Sequence, residues 1–135
     1  LLEDYASTGL SVNNHPISLL KKQHKLKDIS WSNSLKDKTN KSVVKVLGAV
    51  TGRQAPGTAA GVTFLTLEDD IGNMNVVVWQ ATARAQQQTF LKAKLLQVNG
   101  IIERSKEGVI HIIAGKLIDR TPWLEKLSLS SRDFH

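Results

Sequence analysis

The chain has no cysteine, which excludes a disulfide framework and a thiolate metal site and favours a cytoplasmic location. It also lacks any apolar run close to the roughly 18 residues of a membrane-spanning helix, so no membrane partner is expected. No initiator methionine or signal-peptide pattern opens the sequence, which begins Leu-Leu-Glu-Asp. We therefore interpret the chain as a piece of a longer protein.

Patterns typical of catalysis are missing as well. The four histidines are scattered, without the spacing of metal ligands, and no glycine-rich phosphate loop leads a strand into a helix. We therefore predict no catalytic residue, no metal site and no cofactor in this chain. Aromatic residues make up only 5% of it, which is few for a protein that stacks on several bases.

What the chain does have is positive charge, with a formal net charge of +6 at pH 7. Residues 1–42 carry seven basic residues against four acids, and residues 43–121 carry nine against six, so each part has an excess of three. A basic balance favours a polyanionic partner such as nucleic acid. A positive surface without a specific partner is the alternative.

The first part of the chain is predicted to hold two short helices, over residues 3–10 and 17–23. Asn14 or His15 is a candidate cap for the second helix, and Pro16 suits its first position. The polar composition of residues 27–42 is typical of a linker with little order. Trp31 and Leu35 are its candidate anchors. The predicted organisation is therefore a helical lead-in and linker over residues 1–42, a folded domain over residues 43–121 and a C-terminal tail over residues 122–135.

From Val43 onward the hydrophobic pattern alternates with a period of two, as in β-strands. Gly48 and Gly100 interrupt strands and indicate bends or bulges. A helical composition separates the third strand from the fourth. The predicted elements are strands from Val43, 62–68, 73–79, 94–104 and 109–118, with the helix over 80–93. This order is typical of an all-β, five-stranded oligonucleotide-binding (OB) barrel with one helix between strands 3 and 4. A small open β-sandwich is the alternative.

In OB barrels the ligand lies across strands 2 and 3, between the first loop and the loop joining strands 4 and 5. Alternation places Phe64, Thr66, Asn73 and Asn75 outward. A base stacked on Phe64 would contribute about 1–3 kcal/mol, and asparagine amides can bind base edges. Alternatively, Phe64 is covered by the lead-in or tail, or the register is displaced by one residue. Val77 is also predicted to point outward, and the inward residues are Leu65, Leu67, Met74, Val76 and Val78.

The two loops beside this face supply further candidates. Arg53 and Gln54 open the first loop, and Arg104 and Lys106 flank the second, where they could hold phosphates. For each of these cations a solvated surface charge is the alternative. The acidic residues 68–70 oppose phosphate, so the predicted path avoids that hairpin.

A family resemblance rests on three stretches. The block VVKVLGAVTGRQAPGTAAGVTFLTLEDDIGNMNVVVW resembles the OB domain of bacterial C-family DNA polymerases, the group of the replicative alpha subunit. The loop TGRQAPGTA and the ending SRDFH are similar to the error-prone branch, and GLSVNNHPISLL resembles the segment before its OB domain. The strand 2–3 block also resembles anticodon-binding OB domains of class II aminoacyl-tRNA synthetases, in which the residue matching Phe64 stacks on a base.

The resemblance implies an error-prone DNA polymerase with Mg²⁺-binding carboxylates, none of which lie in these 135 residues. It also implies that this domain handles the single-stranded DNA template during damage-tolerant synthesis, and that the chain ends at the natural C-terminus. A departure is the alanine-rich first loop, with Ala55, Ala59 and Ala60 where positive charge is expected, so weak DNA binding is expected. The alternatives are an OB domain that docks other polymerase or repair subunits and a tRNA-binding module.

Overall fold

The computed structural model describes residues 15–23, 26–54 and 61–126. The predicted helix over 3–10, the alanine-rich part of the first loop and the end of the tail lie outside these residues. The described elements are helix α1 (Pro16–Gln23), a 3₁₀ helix (Ser32–Asp37), β1 (Val43–Gln54), β2 (Val62–Glu68), β3 (Asn73–Trp79), α2 (Gln80–Ala85), α3 (Gln87–Lys92), β4 (Leu95–Arg104) and β5 (Ile110–Asp119). Residues 121–126 are also helical.

The five strands form a closed barrel in the order β1-β2-β3-β5-β4. All neighbours are antiparallel except β3 and β5, which pair in parallel over three residues of each strand. Strand β1 is long enough to pair first with β4 and then with β2, and Ala49 pairs with both. Because closure removes the exposed edges of short strands, this arrangement is stable without a second sheet. The predicted OB barrel is confirmed, and the open sandwich is not formed.

The barrel core confirms the predicted alternation of strands β2 and β3. All five residues predicted to point inward are at most 2% exposed: Leu65, Leu67, Met74, Val76 and Val78. Val77, predicted outward, is nevertheless buried, because it lies between Phe64 on β2 and Ile113 on β5 in the cross-strand register. The core also includes Leu35 from the 3₁₀ helix and Ala93 after α3, and Phe90 of α3 packs against it.

Both glycines predicted to mark bends lie where two backbones approach closely. A Cβ on Gly48 would be 3.1 Å from the backbone nitrogen of Glu68, where β1 passes over the end of β2. A Cβ on Gly100 would be 2.3 Å from the carbonyl oxygen of Ile113, and the β4–β5 register shifts at this point. The bulge of β1 lies further on, between Val50 and Gly52.

The predicted helix between β3 and β4 is divided into α2 and α3 at Gln86. The side-chain amide of Gln86 accepts a hydrogen bond from the backbone N–H of Leu117 at 2.7 Å and donates one to the carbonyl of Gly115 at 3.2 Å. These are the two bonds that a neighbouring strand would form with β5. Gln86 therefore attaches the helical connection to the edge of β5 beyond its short pairing with β3.

Helix α1 begins at Pro16, as predicted, and its cap is His15. The backbone N–H of Ile17 donates to His15 Nδ1 at 3.1 Å, the side-chain capping bond expected at a helix N-terminus. The apolar side of α1 packs with Leu47 and Leu95, which point out of the barrel, so a second cluster forms outside it. Helix α1 is therefore packed against the barrel wall.

Residues 26–42 follow a defined course, although their composition predicted a linker with little order. The backbone N–H of Ser30 donates to the carbonyl of Lys45 at 2.7 Å. The two predicted anchors act as expected, since Leu35 is buried in the barrel core and Trp31 packs in the outer cluster. Sequence polarity was a poor guide here because a few apolar side chains and hydrogen bonds to distant residues hold the segment on the barrel.

Candidate nucleic-acid interface

A groove of about 460 Å³ lies on the outer face of β2 and β3, at the position predicted for the ligand. Polar side chains and one aromatic ring line it, and they come from four different strands. The lining residues are Gln54, Phe64, Leu65, Thr66, Asn75 and His111. Four of the predicted site residues are thus brought together: Gln54, Phe64, Thr66 and Asn75.

Phe64 supplies the aromatic ring of the groove. Its side chain points outward and 38% of the residue is exposed, while the neighbouring Leu65 is 1% exposed. The register is therefore the predicted one, without displacement by one residue, and the described lead-in does not cover the ring. Gln54 pairs with Phe64 across β1 and β2, so its amide lies on the same face, beside the ring.

A polar row runs across the groove beside Phe64. Thr66 pairs with Asn75, and Asn75 pairs with His111 on β5. On β1 the row continues to Gly52, which pairs with Thr66 and leaves this side of the groove open because it has no side chain. A hydroxyl, an amide and an imidazole thus offer hydrogen-bond donors and acceptors within reach of a base on Phe64.

His111 was not among the predicted site residues. It points outward on β5, into the groove. Its neighbour Asn75 is brought to it by the parallel β3–β5 pairing. The OB arrangement itself was the only signal in the sequence that could have indicated this contact.

Asn73, in contrast, does not line the groove. It is exposed on β3 and pairs with Glu68 at the hairpin end of the sheet. Glu68 in turn lies 3.1 Å from Nε2 of His15. Since His15 Nδ1 accepts the capping bond from Ile17, Nε2 carries the hydrogen and donates to the carboxylate. The surroundings of Asn73 therefore belong to the contact with the lead-in.

Arg53 is directed away from the groove. It pairs with Leu65 in the register of β1 and β2, which places its side chain on the inward-facing side of the sheet. Its guanidinium donates to the carbonyl of Phe90 at 2.9 Å and also to the carbonyl of Ala93. Arg53 therefore caps the C-terminal end of α3, where a cation also interacts favourably with the helix dipole.

Arg104 has the corresponding position at the other end of the barrel. Its guanidinium donates to the carbonyls of Lys36 and Lys38, at 2.6 and 2.8 Å, and its backbone N–H donates to the side chain of Asn40 at 2.9 Å. These bonds attach the end of the 3₁₀ helix to β4. Both predicted phosphate-binding arginines thus bind main-chain carbonyls. Lys106 is exposed in the turn between β4 and β5.

The two aspartates of the β2–β3 hairpin accept hydrogen bonds from described residues of the lead-in. Asp69 is buried, and its carboxylate accepts bonds from the backbone N–H and hydroxyl of Ser32 at 2.7 and 2.8 Å. Asp70 accepts from Lys21 Nζ at 2.8 Å and from the hydroxyl of Ser18 at 3.0 Å. Burial by itself would raise the pKa of Asp70, but these two donors outweigh it and hold the pKa below its ordinary value.

No group of three or more metal-ligating side chains occurs within residues 15–23, 26–54 and 61–126. In the same part of the chain, no helix is long and apolar enough to cross a membrane. The described lining of the groove combines one exposed aromatic ring with polar side chains.

Comparison with known proteins agrees with this geometry. The family described as "OB-fold nucleic acid binding domain" matches residues 44–119, more than half of the chain. The chain belongs to this family. The groove of the OB-fold domain therefore lies on a scaffold whose family is defined by nucleic-acid binding.

The relatives of the OB-fold domain identify the kind of protein in which this segment occurs. It is 63% identical to an error-prone DNA polymerase of Vibrio parahaemolyticus and 47% identical to one of Alkalilimnicola ehrlichii. Both matches cover 100% of the chain but only 13% of the relative. The predicted resemblance to the error-prone branch is confirmed, and the chain spans about an eighth of the length of these polymerases.

Solved structures confirm the barrel independently of close sequence similarity. Asparaginyl-tRNA synthetase from Pyrococcus horikoshii, complexed with asparaginyl-adenylate, superimposes with a TM-score of 0.59 at 17% identity. The match covers 70% of the OB-fold chain and 23% of the synthetase chain. At this identity the likeness concerns the fold alone.

Proposed function

We propose that this OB-fold domain binds single-stranded DNA and handles the template strand of an error-prone DNA polymerase during damage-tolerant synthesis. The observation that carries the proposal is the exposed ring of Phe64, flanked by Gln54 on one strand and by a row of polar side chains on the next three. An unpaired base offers both a face to stack on and edges to bind, whereas a paired base hides its edges. The assignment to a polymerase is supported by the similarity of the chain to error-prone DNA polymerases. A cytoplasmic location of the parent protein is part of the same proposal.

In the proposed complex one base stacks on Phe64. The amides of Gln54 and Asn75, the hydroxyl of Thr66 and the imidazole of His111 bind the edges of this base and the sugar beside it. Each of these groups can donate and accept, so several bases are accommodated and little sequence preference is expected. This tolerance suits a domain that meets every template sequence.

Electrostatics make this groove unusual for DNA. Its described lining contains no lysine or arginine, and Arg53 and Arg104 bind carbonyl groups elsewhere. Lys106, the third predicted cation, is exposed in the turn between β4 and β5. Affinity for single strands falls with salt in proportion to the number of phosphates neutralised. We therefore expect weak binding with a shallow salt dependence, in which stacking is the larger contribution.

Replacing Phe64 with leucine tests the proposal. Leucine keeps the apolar character of the position but offers no ring, so the variant loses a stacking contribution of about 1–3 kcal/mol. We expect the affinity for a short oligo-dT strand to fall about 5- to 150-fold. The measurement is a titration of amide chemical shifts, in which residues around Phe64, Asn75 and His111 are expected to respond in the unmodified chain.

Trp79 provides the matched control, since it is an exposed aromatic residue that does not line the groove. Trp79→Leu is expected to leave the oligo-dT affinity within about twofold. Equal losses in both variants, or shifts confined to residues outside the groove, would contradict the assignment of the site.

A further inference from the structure

Three aliphatic side chains form a second row on the outer surface of the barrel, on the strands that close it. Val43 on β1 pairs with Ile101 on β4, and Ile101 pairs with Ile113 on β5. All three point outward, and Val43 and Ile101 are 77% and 42% exposed. We call this set the aliphatic row. Beyond Ile113 the same cross-strand row continues through the buried Val77 to Phe64, at the edge of the groove.

Lysines border the aliphatic row. On one side of the aliphatic row, the next outward residues of the same three strands form a second row. In it Asn99 on β4 lies between Lys45 on β1 and Lys116 on β5, and both lysines are exposed. On the other side, Nζ of Lys41 lies 3.4 Å from Oε2 of Glu103. The border of the row is therefore positive on the side of Lys45 and Lys116, and on the other side it is an ion pair. Such a border complements carboxylates on a partner.

The composition of the aliphatic row distinguishes between possible occupants. Nucleic-acid bases stack on aromatic rings, and this row has only branched aliphatic side chains, without a donor or acceptor. A second copy of the domain would bring the same lysine border against itself. Three side chains are also far fewer than the roughly 20–30 residues that each side of a stable protein interface contributes. A short segment of another protein fits these observations best.

We propose that the aliphatic row with its lysine border is a docking surface for a short extended segment of another protein, in which apolar side chains alternate with acidic ones. The alternation follows from the spacing of the surface. Successive outward positions on one strand are about 6.6 Å apart, so the apolar row and the lysine row run side by side. A segment crossing the strands would place its apolar side chains on the first row and its carboxylates on the second.

A titration of the 135-residue chain with two synthetic peptides tests this proposal. The first is an end-capped octapeptide of alternating glutamate and isoleucine, and the second has lysine in place of glutamate. Amide shifts of Val43, Ile101 and Ile113 are expected to saturate with the acidic peptide, with a Kd of about 1 mM or below. The basic peptide is expected to produce no saturable shift.

Matched variants locate the binding. Exchanging Val43 and Ile101 together for serine is expected to weaken the acidic peptide at least about tenfold, because the apolar contacts are lost. The same exchange at Ile71 and Val109, which are exposed to 49% and 43% elsewhere on the surface, is expected to leave the affinity unchanged. Phe64→Leu is also expected to have no effect, which separates this surface from the groove.

Several results would overturn the proposal. These are no saturable shift with the acidic peptide at several millimolar, equal binding of the basic peptide, and equal loss in the Ile71 and Val109 control. The proposal would also be overturned if oligo-dT changed the amide chemical shifts of the aliphatic row and the serine exchanges weakened oligo-dT binding. This result would assign the surface to nucleic acid.

Discussion

Replacing Gly100 with alanine introduces a methyl group between the backbones of β4 and β5. The new Cβ would lie 2.3 Å from the carbonyl oxygen of Ile113 and 3.1 Å from Cγ2 of Ile112. An ordinary contact to the oxygen is about 3.4 Å, so the two strands must separate by about 1 Å. The obstacle is a main-chain atom, so no side-chain rotation can relieve it.

The expected loss of stability follows from this separation. Overpacking of this kind costs about 1–3 kcal/mol. A ladder bond near 2.9 Å stretched by about 1 Å is no longer a hydrogen bond, and each lost bond costs about 1 kcal/mol more. With one or two bonds affected, we expect Gly100→Ala to lower the free energy of unfolding by about 2–5 kcal/mol. This is a large share of the roughly 5–15 kcal/mol of a typical domain.

Urea unfolding followed by tryptophan fluorescence measures this loss, with the m-value checked for two-state behaviour. Gly52→Ala is the matched control, since its Cβ would lie 3.6 Å from Thr66 Oγ1, an ordinary contact. We expect that variant to unfold within about 0.5 kcal/mol of the original or slightly later, because alanine restricts the unfolded chain. A Gly100→Ala variant less than 1 kcal/mol below the control would refute the reasoning from the Ile113 carbonyl.

Three further predictions concern the groove, its surroundings and the lead-in. Gly52→Val places a branched side chain beside Thr66 and should obstruct the groove at nearly unchanged stability. The affinity for oligo-dT, measured by fluorescence titration, should fall more than about tenfold. Unchanged affinity would place the ligand elsewhere. Arg53→Ala should lower the free energy of unfolding by about 1–2 kcal/mol and change the oligo-dT affinity less than about twofold. A variant of unchanged stability that binds oligo-dT more weakly would show that Arg53 is a phosphate ligand. Lys21 and Ser18 hold the pKa of Asp70 below its ordinary value of 3.8 in the folded chain. Its ionised form therefore contributes stability above about pH 4 that is lost as the pH falls through the folded pKa. Asp70→Asn should thus be less stable than the original at pH 6, and the difference in thermal unfolding should shrink as the pH falls below about 4. A difference that stays constant with pH would contradict this.

The fold was predictable because the signals that define it are local. Alternation identified the strands and the faces of Phe64 and Leu65, and Pro16 marked the start of α1. Arg53 shows where local signals fail. Strict alternation from Val44 places residue 53 on the outer face, but the bulge between Val50 and Gly52 shifts the pattern by one. Arg53 then points inward and Gln54 outward, and nothing in the composition of this stretch reveals the extra residue.

The remaining errors concern contacts between distant parts of the chain. Arg104 was assigned to phosphate because it adjoins a loop, but its partners lie more than 60 residues earlier, at Lys36 and Lys38. His111 was left out because its neighbour Asn75 is on a strand that is not adjacent in sequence. A polar side chain near a predicted site can thus be recognised from sequence, whereas its actual partner depends on the register of the whole barrel.

The ties between the β2–β3 hairpin and the lead-in have a mechanical consequence. The hairpin joins the two strands that carry Phe64 and Asn75, and at its tip Asp69 and Asp70 hold Ser32 and Lys21. A pull on the chain before the barrel would load this tip together with Leu47 and Leu95, against which α1 packs. The groove would then be strained through its own two strands, so tension in the preceding segment and occupancy of the groove would oppose or reinforce each other.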